Sequence, residues 1–501
     1  MMLTKCMNCI IMFTIISKNT KFVILEWFFL DTTLDKAPKQ GKTKHPRGLF
    51  LLFITEMWER YSYYGMRGIL VLYLTEQLVS GGLGMDNASA LKLYGLYTGL
   101  VYLTPMIGGW LTDRLMGLRT AITIGGITMA LGDFSLFAVQ EKWGLYLGLL
   151  LLIIGNGFFK PNISTLLGEL YSKNDPRKDS AFTIFYMGIN LGAFFSPLIA
   201  GLIYGEWFHT TQNGIEHFGY NYAFLASSIG MIIGQVLFTT LSNKYLGDIG
   251  KKPAREKAIS SNANKAKPLT KYEKHRTTVI FILAAFVIMF WVGFEQAGAS
   301  FTLYTEHFID RTIFGWEVPT SWFQSLNPLF ILLLAPIVSA IWLKLSKTKR
   351  GDFSVPTKMS FGLMLLGLGF MIMVPAVLMT GSDEDNVAVK AHMLFMVFTY
   401  LFHTLGELCL SPIGLSMVTK LAPLKFASLL MGVWFLSNAT ANYLAGHVAS
   451  LTESFGFLEI FIYLGIAAIA LGLLLLILTK PIQKLMHLDE LEGVDDSKGV
   501  Q

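Results

Sequence analysis

Charged residues are scarce in this 501-residue chain. Asp, Glu, Lys and Arg make up 15% of it, whereas soluble globular chains carry about 25%. Hydrophobic residues reach 53%, and the mean hydropathy is +0.52. This balance argues against a soluble multidomain enzyme. It predicts an integral membrane protein, and the 47 glycines and 38 phenylalanines suit packed transmembrane helices.

Cysteine is scarce too, and the motifs of common catalytic sites are missing. Of three cysteines, Cys409 lies in an apolar segment, while Cys6 and Cys9 form a lone CMNC that we interpret as neither a metal nor a redox site. The chain contains no HExxH, GxSxG or P-loop pattern, so we expect no enzyme, metal or cofactor. The net charge of +6 does not indicate nucleic-acid binding, because the placement of Lys and Arg matters more than their sum in a membrane protein.

Long apolar stretches predict twelve transmembrane helices. A helix needs about 20 mostly apolar residues to cross the hydrocarbon core. The predicted spans are Gly48–Leu74, Leu93–Leu111, Thr120–Val139, Leu145–Leu167, Phe182–Tyr204, Tyr222–Leu241, Thr278–Leu303, Phe323–Leu345, Met359–Met379, Met393–Leu415, Ala427–Ala449 and Phe457–Leu478. They predict an all-α membrane protein in which residues 48–246 and 278–480 form two six-helix bundles. Residues 1–47 are then a leader, 247–277 a basic linker and 481–501 a tail.

Basic and acidic residues alternate from loop to loop along the chain. Lys and Arg concentrate in the leader, in every second loop and in the tail, while the intervening loops lean acidic. Since cytoplasmic loops accumulate Lys and Arg, the alternation requires an even number of spans and predicts that both termini are cytoplasmic. The arrangement is typical of transporters built from repeated halves, whose substrate site lies between the halves.

Residues 1–30 fit no span. Two apolar stretches are separated by Lys18, Asn19 and Lys21, and neither is long enough to cross a bilayer alone. A signal peptide would need a small-residue cleavage site, which is missing. We interpret the segment as lying on the membrane surface or as an extension from an incorrectly chosen start codon.

The stretch EMWERYSYYG places charge inside the first span. At about 100° per residue, Glu56, Glu59, Arg60, Tyr64 and Arg67 share one helical face. An ionised side chain at the bilayer centre costs at least about 2.5 kcal/mol, so such residues face a cavity and a partner. The glutamates could simply neutralise Arg60 inside the bundle, but that would leave Arg67 unexplained.

Further polar residues fall within later spans. Lys160, Glu295 and Glu407 are ionisable, and Asn190 and Asn327 are polar groups in apolar helices. An isolated Asn in a membrane helix commonly makes a helix–helix hydrogen bond, but that does not account for the charged residues. Together they predict an aqueous cavity lined with both signs of charge.

Such a cavity suits a zwitterion. Arg60 and Lys160 could hold a carboxylate and Glu407 an ammonium group. Amphipathic walls tolerant of many side chains could come from Tyr64, Tyr102, Trp291 and Trp434. A glutamate in a low-dielectric site beside a basic partner can exchange a proton as that partner comes and goes. The residues therefore favour proton coupling.

Three motifs in order resemble those of a known family. EMWERYSYYG is similar to the ExxER signature of the proton-dependent oligopeptide transporter (POT) family, with Tyr61 where Phe is usual, and GNGFFKPNIS and FYMGINLGAFFSPLIAG resemble its two other signatures. GGWLTDRLMGLR resembles the inter-helix motif of the wider major facilitator superfamily, in which an Asp and an Arg, here Asp113 and Arg114, tie neighbouring helices. The resemblance runs from about Pro46 to Lys484 and implies the major facilitator fold.

The resemblance also implies roles for individual residues. The residues implied for proton coupling are Glu56, Glu59, Arg60 and Glu295, and Arg67 with Glu295 would form a gate between the bundles. Arg60 and Lys160 would bind the peptide carboxylate, and Asn190, Asn327 and Glu407 would bind its amino end. The residues implied for the pocket walls are Tyr64, Tyr102, Trp291 and Trp434. The implied activity is symport of di- and tripeptides with protons into the cell across the cytoplasmic membrane, by a chain that acts as a monomer in the bilayer and draws on the proton gradient.

Two other functions stay open at this stage. A related carrier for an amino acid or nitrate would fit the same fold. Loss of the ExxER motif would have favoured that function, but the motif is intact in this sequence. A membrane-embedded enzyme or a receptor is the alternative from another class.

The charge alternation predicts a topology that reporter fusions can test. Reporters fused near Ser260 and at the C-terminus should both report the cytoplasm, while one near Glu384 should report the outside, because of the three positions only Glu384 lies in an acidic loop. The same side for all three reporters would contradict the twelve-span arrangement.

Overall fold

The computed structural model describes residues 44–172, 175–253, 270–348, 351–384, 387–423 and 427–487. The chain divides into two units, Met1–His45 and Pro46–Gln501, and of the first unit only Lys44 and His45 are described. The interpretation of residues 1–30 lies outside the described residues, as do most of the predicted linker and tail.

The described residues of the larger unit are helical almost throughout, which confirms the predicted all-α class. The first half contains α1 (Arg47–Thr75), α2 (Asn87–Leu115), α3 (Leu118–Ala138), α4 (Lys142–Glu169), α5 (Lys178–Leu202) and α6 (Tyr220–Leu246). The second half contains α7 (Lys271–Phe294), α8 (Ser300–Phe308), α9 (Leu326–Ser346), α10 (Val355–Thr380), α11 (Leu394–Leu421), α12 (Ala427–Ser450), α13 (Thr452–Phe455) and α14 (Phe457–Met486).

Among the described residues, eight helical segments are long and apolar enough to cross a membrane. They are Leu118–Ala138, Lys142–Glu169, Lys178–Trp207, Tyr220–Leu246, Lys271–Phe308, Thr320–Ser346, Val355–Thr380 and Phe457–Met486. The predicted spans over α1, α2, α11 and α12 are long helices as well, but they are not among the eight, and their crossing of the membrane stays a prediction. In α1 the buried charges of the ExxER stretch lower the hydropathy.

At the starts of α2, α7 and α10, a polar side chain satisfies a free backbone N–H group. Asp86 accepts a hydrogen bond of 2.8 Å from the Ser89 N–H at the start of α2, and this bond lowers the pKa of the Asp86 carboxyl. Thr270 and Glu273 form a capping box at the start of α7. Because of this cap, α7 begins at Lys271, seven residues before the predicted span.

The predicted continuous span Thr278–Leu303 is wrong in one respect, since the helix breaks. A 3-10 turn over Glu295–Gly298 follows α7, and Ala299 then leaves helical geometry with φ −121° and ψ −104° before α8 begins. A side chain at Gly298 would collide with the Tyr94 hydroxyl of α2. The break therefore lets the backbone of the second half approach the first half closely.

The two ends of the helix bundle differ. At one end, which we call the linker end, Arg119 donates a hydrogen bond of 2.7 Å to the Gly247 carbonyl, and His275 and His487 are hydrogen-bonded at 2.9 Å. The opposite end, the hairpin end, carries short strands that pair as β1 with β2 and β4 with β5 (antiparallel) and β3 with β6 (parallel). The strands are β1 Thr210–Gln212, β2 Ile215–His217, β3 Ile309–Asp310, β4 Thr312–Ile313, β5 Trp316–Glu317 and β6 Ala391–His392.

The halves contact each other through side chain–backbone hydrogen bonds and through glycines. Ser321 Oγ, Trp322 Nε1 and Ser325 Oγ, in the 3-10 segment Thr320–Ser325 before α9, donate to carbonyl oxygens of α5 at 2.9, 3.0 and 2.8 Å. On another side, α2 packs against α12 where Gly95 faces Gly446. Small residues at such crossings let two helix backbones approach.

The glycine crossing predicts a specific sensitivity. A Cβ at Gly95 would lie 2.7 Å from the Gly446 Cα, while a Cβ at Gly109 on the same helix would lie 3.7 Å from Pro161, an ordinary contact. Gly95→Ala should therefore lower the free energy of unfolding by about 1–3 kcal/mol, as overpacked substitutions do, and Gly109→Ala should not. The apparent Tm of the detergent-purified variants measures this difference, and equal Tm values would contradict it.

Candidate substrate and proton-coupling site

The charges of the ExxER stretch form a buried cluster on α1. Glu56, Glu59 and Arg60 are 3%, 0% and 4% exposed. The Arg60 guanidinium donates two hydrogen bonds to the Glu59 carboxylate, one of them at 2.6 Å, and lies 3.3 Å from the nearer oxygen of Glu56. Asn156 on α4 contributes its amide 3.5 Å from Glu59. One guanidinium therefore balances two carboxylates, and the cluster is short of one positive charge.

Lys160 on α4 lies on the same side of the first half. Its ammonium group lies 4.1 Å from the centre of the Tyr102 ring on α2, a cation–π contact, and forms no ion pair with any described residue. A lysine without a carboxylate partner in a low-dielectric setting is available to a negatively charged ligand.

Arg67 and Glu295 connect the two halves. Arg67 on α1 forms a buried ion pair with Glu295 in the 3-10 turn after α7. Its Nε also donates a hydrogen bond of 2.6 Å to the Tyr94 hydroxyl on α2. The pair that the family resemblance implies is therefore in contact here, and whether the contact acts as a gate stays a prediction.

A second acidic group lies in the other half. The side-chain amide of Asn327 on α9 donates to Glu407 at 2.8 Å and to the Thr404 hydroxyl at 3.0 Å, both on α11. Glu407 is 8% exposed and forms no ion pair with a described residue. Its remaining acceptor capacity could receive a positively charged ligand group.

A cavity of about 200 Å³ lies between the halves and brings most of these residues together. Eight of the predicted site residues line it, namely Tyr64, Arg67, Tyr102, Asn190, Trp291, Glu295, Asn327 and Glu407. Asn190 uses its amide to donate to the Tyr186 carbonyl of its own helix. The cavity thus has an acidic group on the second half and, at the ion pair, both signs of charge.

Five predicted site residues do not line this cavity. Glu56, Glu59 and Arg60 face one another, and the Lys160 ammonium group lies against the Tyr102 ring. Trp434 on α12 is 5% exposed and packs against Gly414 of α11. The spacing in the sequence could not reveal this, because it gives the helical face of a residue but not the neighbour that covers it.

The structure adds lining residues that the sequence analysis missed. They include Tyr186 and Ala193 on α5, Gln324 before α9, and Tyr400, His403 and Thr404 on α11. Helical periodicity could have found several of them, because positions three, four and seven residues before Glu407 lie on its face of the helix.

Asp113 and Arg114, the residues of the predicted superfamily motif, do not tie neighbouring helices through an ion pair among the described residues. Asp113 and Arg114 are exposed, and Arg114 stacks 4.4 Å from the centre of the Trp110 ring. Asp113 forms no ion pair in the part of the chain that is described. Arg119, two residues beyond the turn, instead ties α3 to the end of α6 through Asn243 and the Gly247 carbonyl.

Comparisons with known proteins agree with one another. The POT family profile matches residues 119–263 and 251–462. An uncharacterized transporter, YclF, of Bacillus subtilis (strain 168) is 36% identical, over 91% of this chain and 98% of its own. A di-/tripeptide transporter of Lactococcus lactis subsp. cremoris is 33% identical, over 88% of this chain and 96% of its own.

A solved structure has the same fold. The crystal structure of a peptide transporter POT in complex with sulfate is 32% identical to this chain, with a TM-score of 0.80 over 91% of this chain and 100% of that one. The two-bundle fold is confirmed by this match, and the apolar helices with the transporter relatives indicate a multi-pass membrane protein. The profile match and the identity over nearly the whole length show that the chain belongs to the POT family.

Proposed function

We propose that the chain is a symporter that imports di- and tripeptides together with protons, by alternating access of its two halves. The observation that carries the proposal is the cavity between the halves, with Glu407 and Asn327 on one wall and Tyr102, backed by the Lys160 ammonium, on the other. The Lactococcus relative, named a di-/tripeptide transporter, supports the same substrate class.

A peptide carries its two charges at opposite ends, and the cavity offers a partner for each. The α-ammonium group would bind Glu407, whose carboxylate is held in place by Asn327. The α-carboxylate would turn towards Lys160 and Arg60, which lie in the first half. Side chains between the ends would meet the aromatic residues Tyr64, Tyr102 and Trp291, which tolerate many shapes.

The buried cluster on α1 supplies a reason for proton coupling. Arg60 is occupied by Glu56 and Glu59, so it is available to a substrate carboxylate only when a glutamate gives it up. A glutamate that loses its guanidinium in a low-dielectric site favours the protonated form. Peptide arrival and proton binding would then support each other, and the proton gradient supplies the energy without a cofactor.

Alternating access requires contacts between the halves that form in one state and break in the other. The Arg67–Glu295 ion pair and the hydrogen bonds from Thr320–Ser325 to α5 are contacts of this kind. We place the linker end, with both termini, in the cytoplasm, because the linker is rich in Lys and Arg. One chain contains both halves, so a monomer would suffice.

Uptake into proteoliposomes tests the function directly. Radiolabelled alanyl-alanine should accumulate when an inward proton gradient is imposed and only equilibrate without one. Unlabelled dipeptide should compete for uptake, and N-acetylated or C-amidated forms should compete poorly because each lacks one of the two charges. Competition by nitrate or by a single amino acid, without competition by peptide, would favour a carrier for another solute.

Glu59→Gln should separate coupling from transport. An amide can fill the site but cannot carry a proton, so gradient-driven accumulation should be lost while counterflow of peptide, which needs only the movement of the halves, persists. Glu141→Gln, at an exposed position, is the control and should behave as the wild type. Full accumulation by Glu59→Gln would remove this residue from the coupling role.

Breaking the Arg67–Glu295 pair should be costly. Removal of one partner leaves an uncompensated buried charge, worth about 3–5 kcal/mol, so Arg67→Glu and Glu295→Arg should each abolish uptake. The double exchange should recover part of it. Reversal of Lys251, whose partner Asp248 is 96% exposed, is the control and should change uptake little.

Cross-linking shows whether this contact changes during transport. Cysteines at positions 67 and 295, in a chain whose three native cysteines are replaced by Ser, are joined with a bifunctional thiol reagent. A yield that differs with and without saturating dipeptide supports a gate, whereas the same yield in both conditions contradicts it.

A further inference from the structure

Asp133 is a buried carboxyl group that the proposed mechanism does not use. It lies on α3 with 0% exposure. The Ser62 hydroxyl on α1 donates a hydrogen bond of 2.6 Å to its Oδ2, and its Oδ1 has no hydrogen-bond partner among the described residues. Asp133 forms no ion pair there either, and it does not line the cavity.

A second carboxyl group lies on the helix to which Asp133 is bonded. Glu59 on α1 lies three residues before Ser62, so the two side chains are neighbours on one helical face, and the Ser62–Asp133 hydrogen bond brings the carboxyl group of Asp133 towards that of Glu59. The other titratable group to consider here is Tyr97 on α2, which is buried and whose hydroxyl has no hydrogen-bond partner among the described residues either. The neighbouring surfaces of the other two helices are uncharged, with Gly148 and Leu152 of α4 against Gly132, and Ser228 of α6 bonded to the Ala130 carbonyl.

This geometry makes the two carboxyl groups depend on each other. Two ionised carboxylates close together in a low-dielectric interior are costly, so ionisation of one favours the protonated form of the other. Glu59 has Arg60 as a cation partner, whereas Asp133 has only the Ser62 hydroxyl. The hydroxyl group stabilises the ionised form of Asp133, and burial opposes it.

We propose that Asp133 is a positioning residue of the proton-coupling cluster, an inference that rests on the proton-coupled function proposed above. It shares protons with Glu59 as a coupled pair, and the pair sets the pH at which peptide uptake begins. The charge on Asp133 opposes loss of the proton from Glu59. Removal of that charge should let Glu59 release its proton more readily, so that uptake requires more acidic conditions.

The test is the pH profile of dipeptide uptake in three variants. Asp133→Asn keeps the shape but removes the charge, and should shift the midpoint of the profile to lower pH by about one unit. Ser62→Ala removes the hydrogen bond that favours the ionised form and should shift the midpoint in the same direction by less. Ser228→Ala, at a buried serine of α6 that donates to the Ala130 carbonyl of α3, is the matched control and should not shift it.

A spectroscopic readout distinguishes this inference from the proposed function. In the purified wild-type protein, the infrared absorption of protonated carboxyl groups should titrate with pH, and Asp133→Asn should remove one carboxyl component and move the midpoint of another. This measurement does not need transport. Unchanged infrared titration and unchanged pH profiles in Asp133→Asn, or an equal shift in Ser228→Ala, would overturn the inference, whereas failure of wild-type accumulation alone would overturn only the proposed function.

Discussion

The structure depends on the cost of holding charge away from water. An ionised group inside a bundle of membrane helices must be paired, hydrogen-bonded or exposed to a cavity. In this chain the buried charges follow that rule in different ways. Arg60 is held by two glutamates, Arg67 by Glu295 and Tyr94, and Lys160 by the face of an aromatic ring. The contacts of Arg67 and Lys160 join helices that are separate in the sequence, whereas the pairs of Arg60 lie within α1.

These pairings explain why the coupling cluster lies beside the cavity and not inside it. If Arg60 faced the cavity freely, it could bind a substrate carboxylate whatever the state of the glutamates. Because Glu56 and Glu59 occupy it, a substrate carboxylate that takes Arg60 leaves a glutamate free to take up a proton, so the binding of substrate favours the binding of a proton. The break in the helix after α7 also pairs a buried charge, because the turn at Glu295–Gly298 brings Glu295 of one half into contact with Arg67 of the other.

Much of this organisation could be predicted from the sequence. Apolar length and the alternation of charge between loops predict helical spans in two groups, and eight of the twelve spans are confirmed by composition and length in the structure. Charged residues are so costly in apolar helices that their presence alone indicated functional positions. Eight of the predicted site residues line one cavity, and Arg67, Glu295 and Glu407 are the charged ones among them.

What only the tertiary structure decided is which groups meet. Spacing along a helix places Arg60 and Arg67 on one face, yet they have different partners in different helices. Asp133 drew no attention in the sequence, since one acid near small residues has no local pattern, and only packing of α3 against α1 brings it to Ser62. Trp434 was assigned to the pocket but packs against Gly414. A sequence determines how much charge must be buried and on which helical face, and it can indicate a local pair such as Arg60 with Glu56, because those depend on composition and local periodicity. The partners of Arg67 and Asp133 depend instead on contacts between helices far apart in the chain.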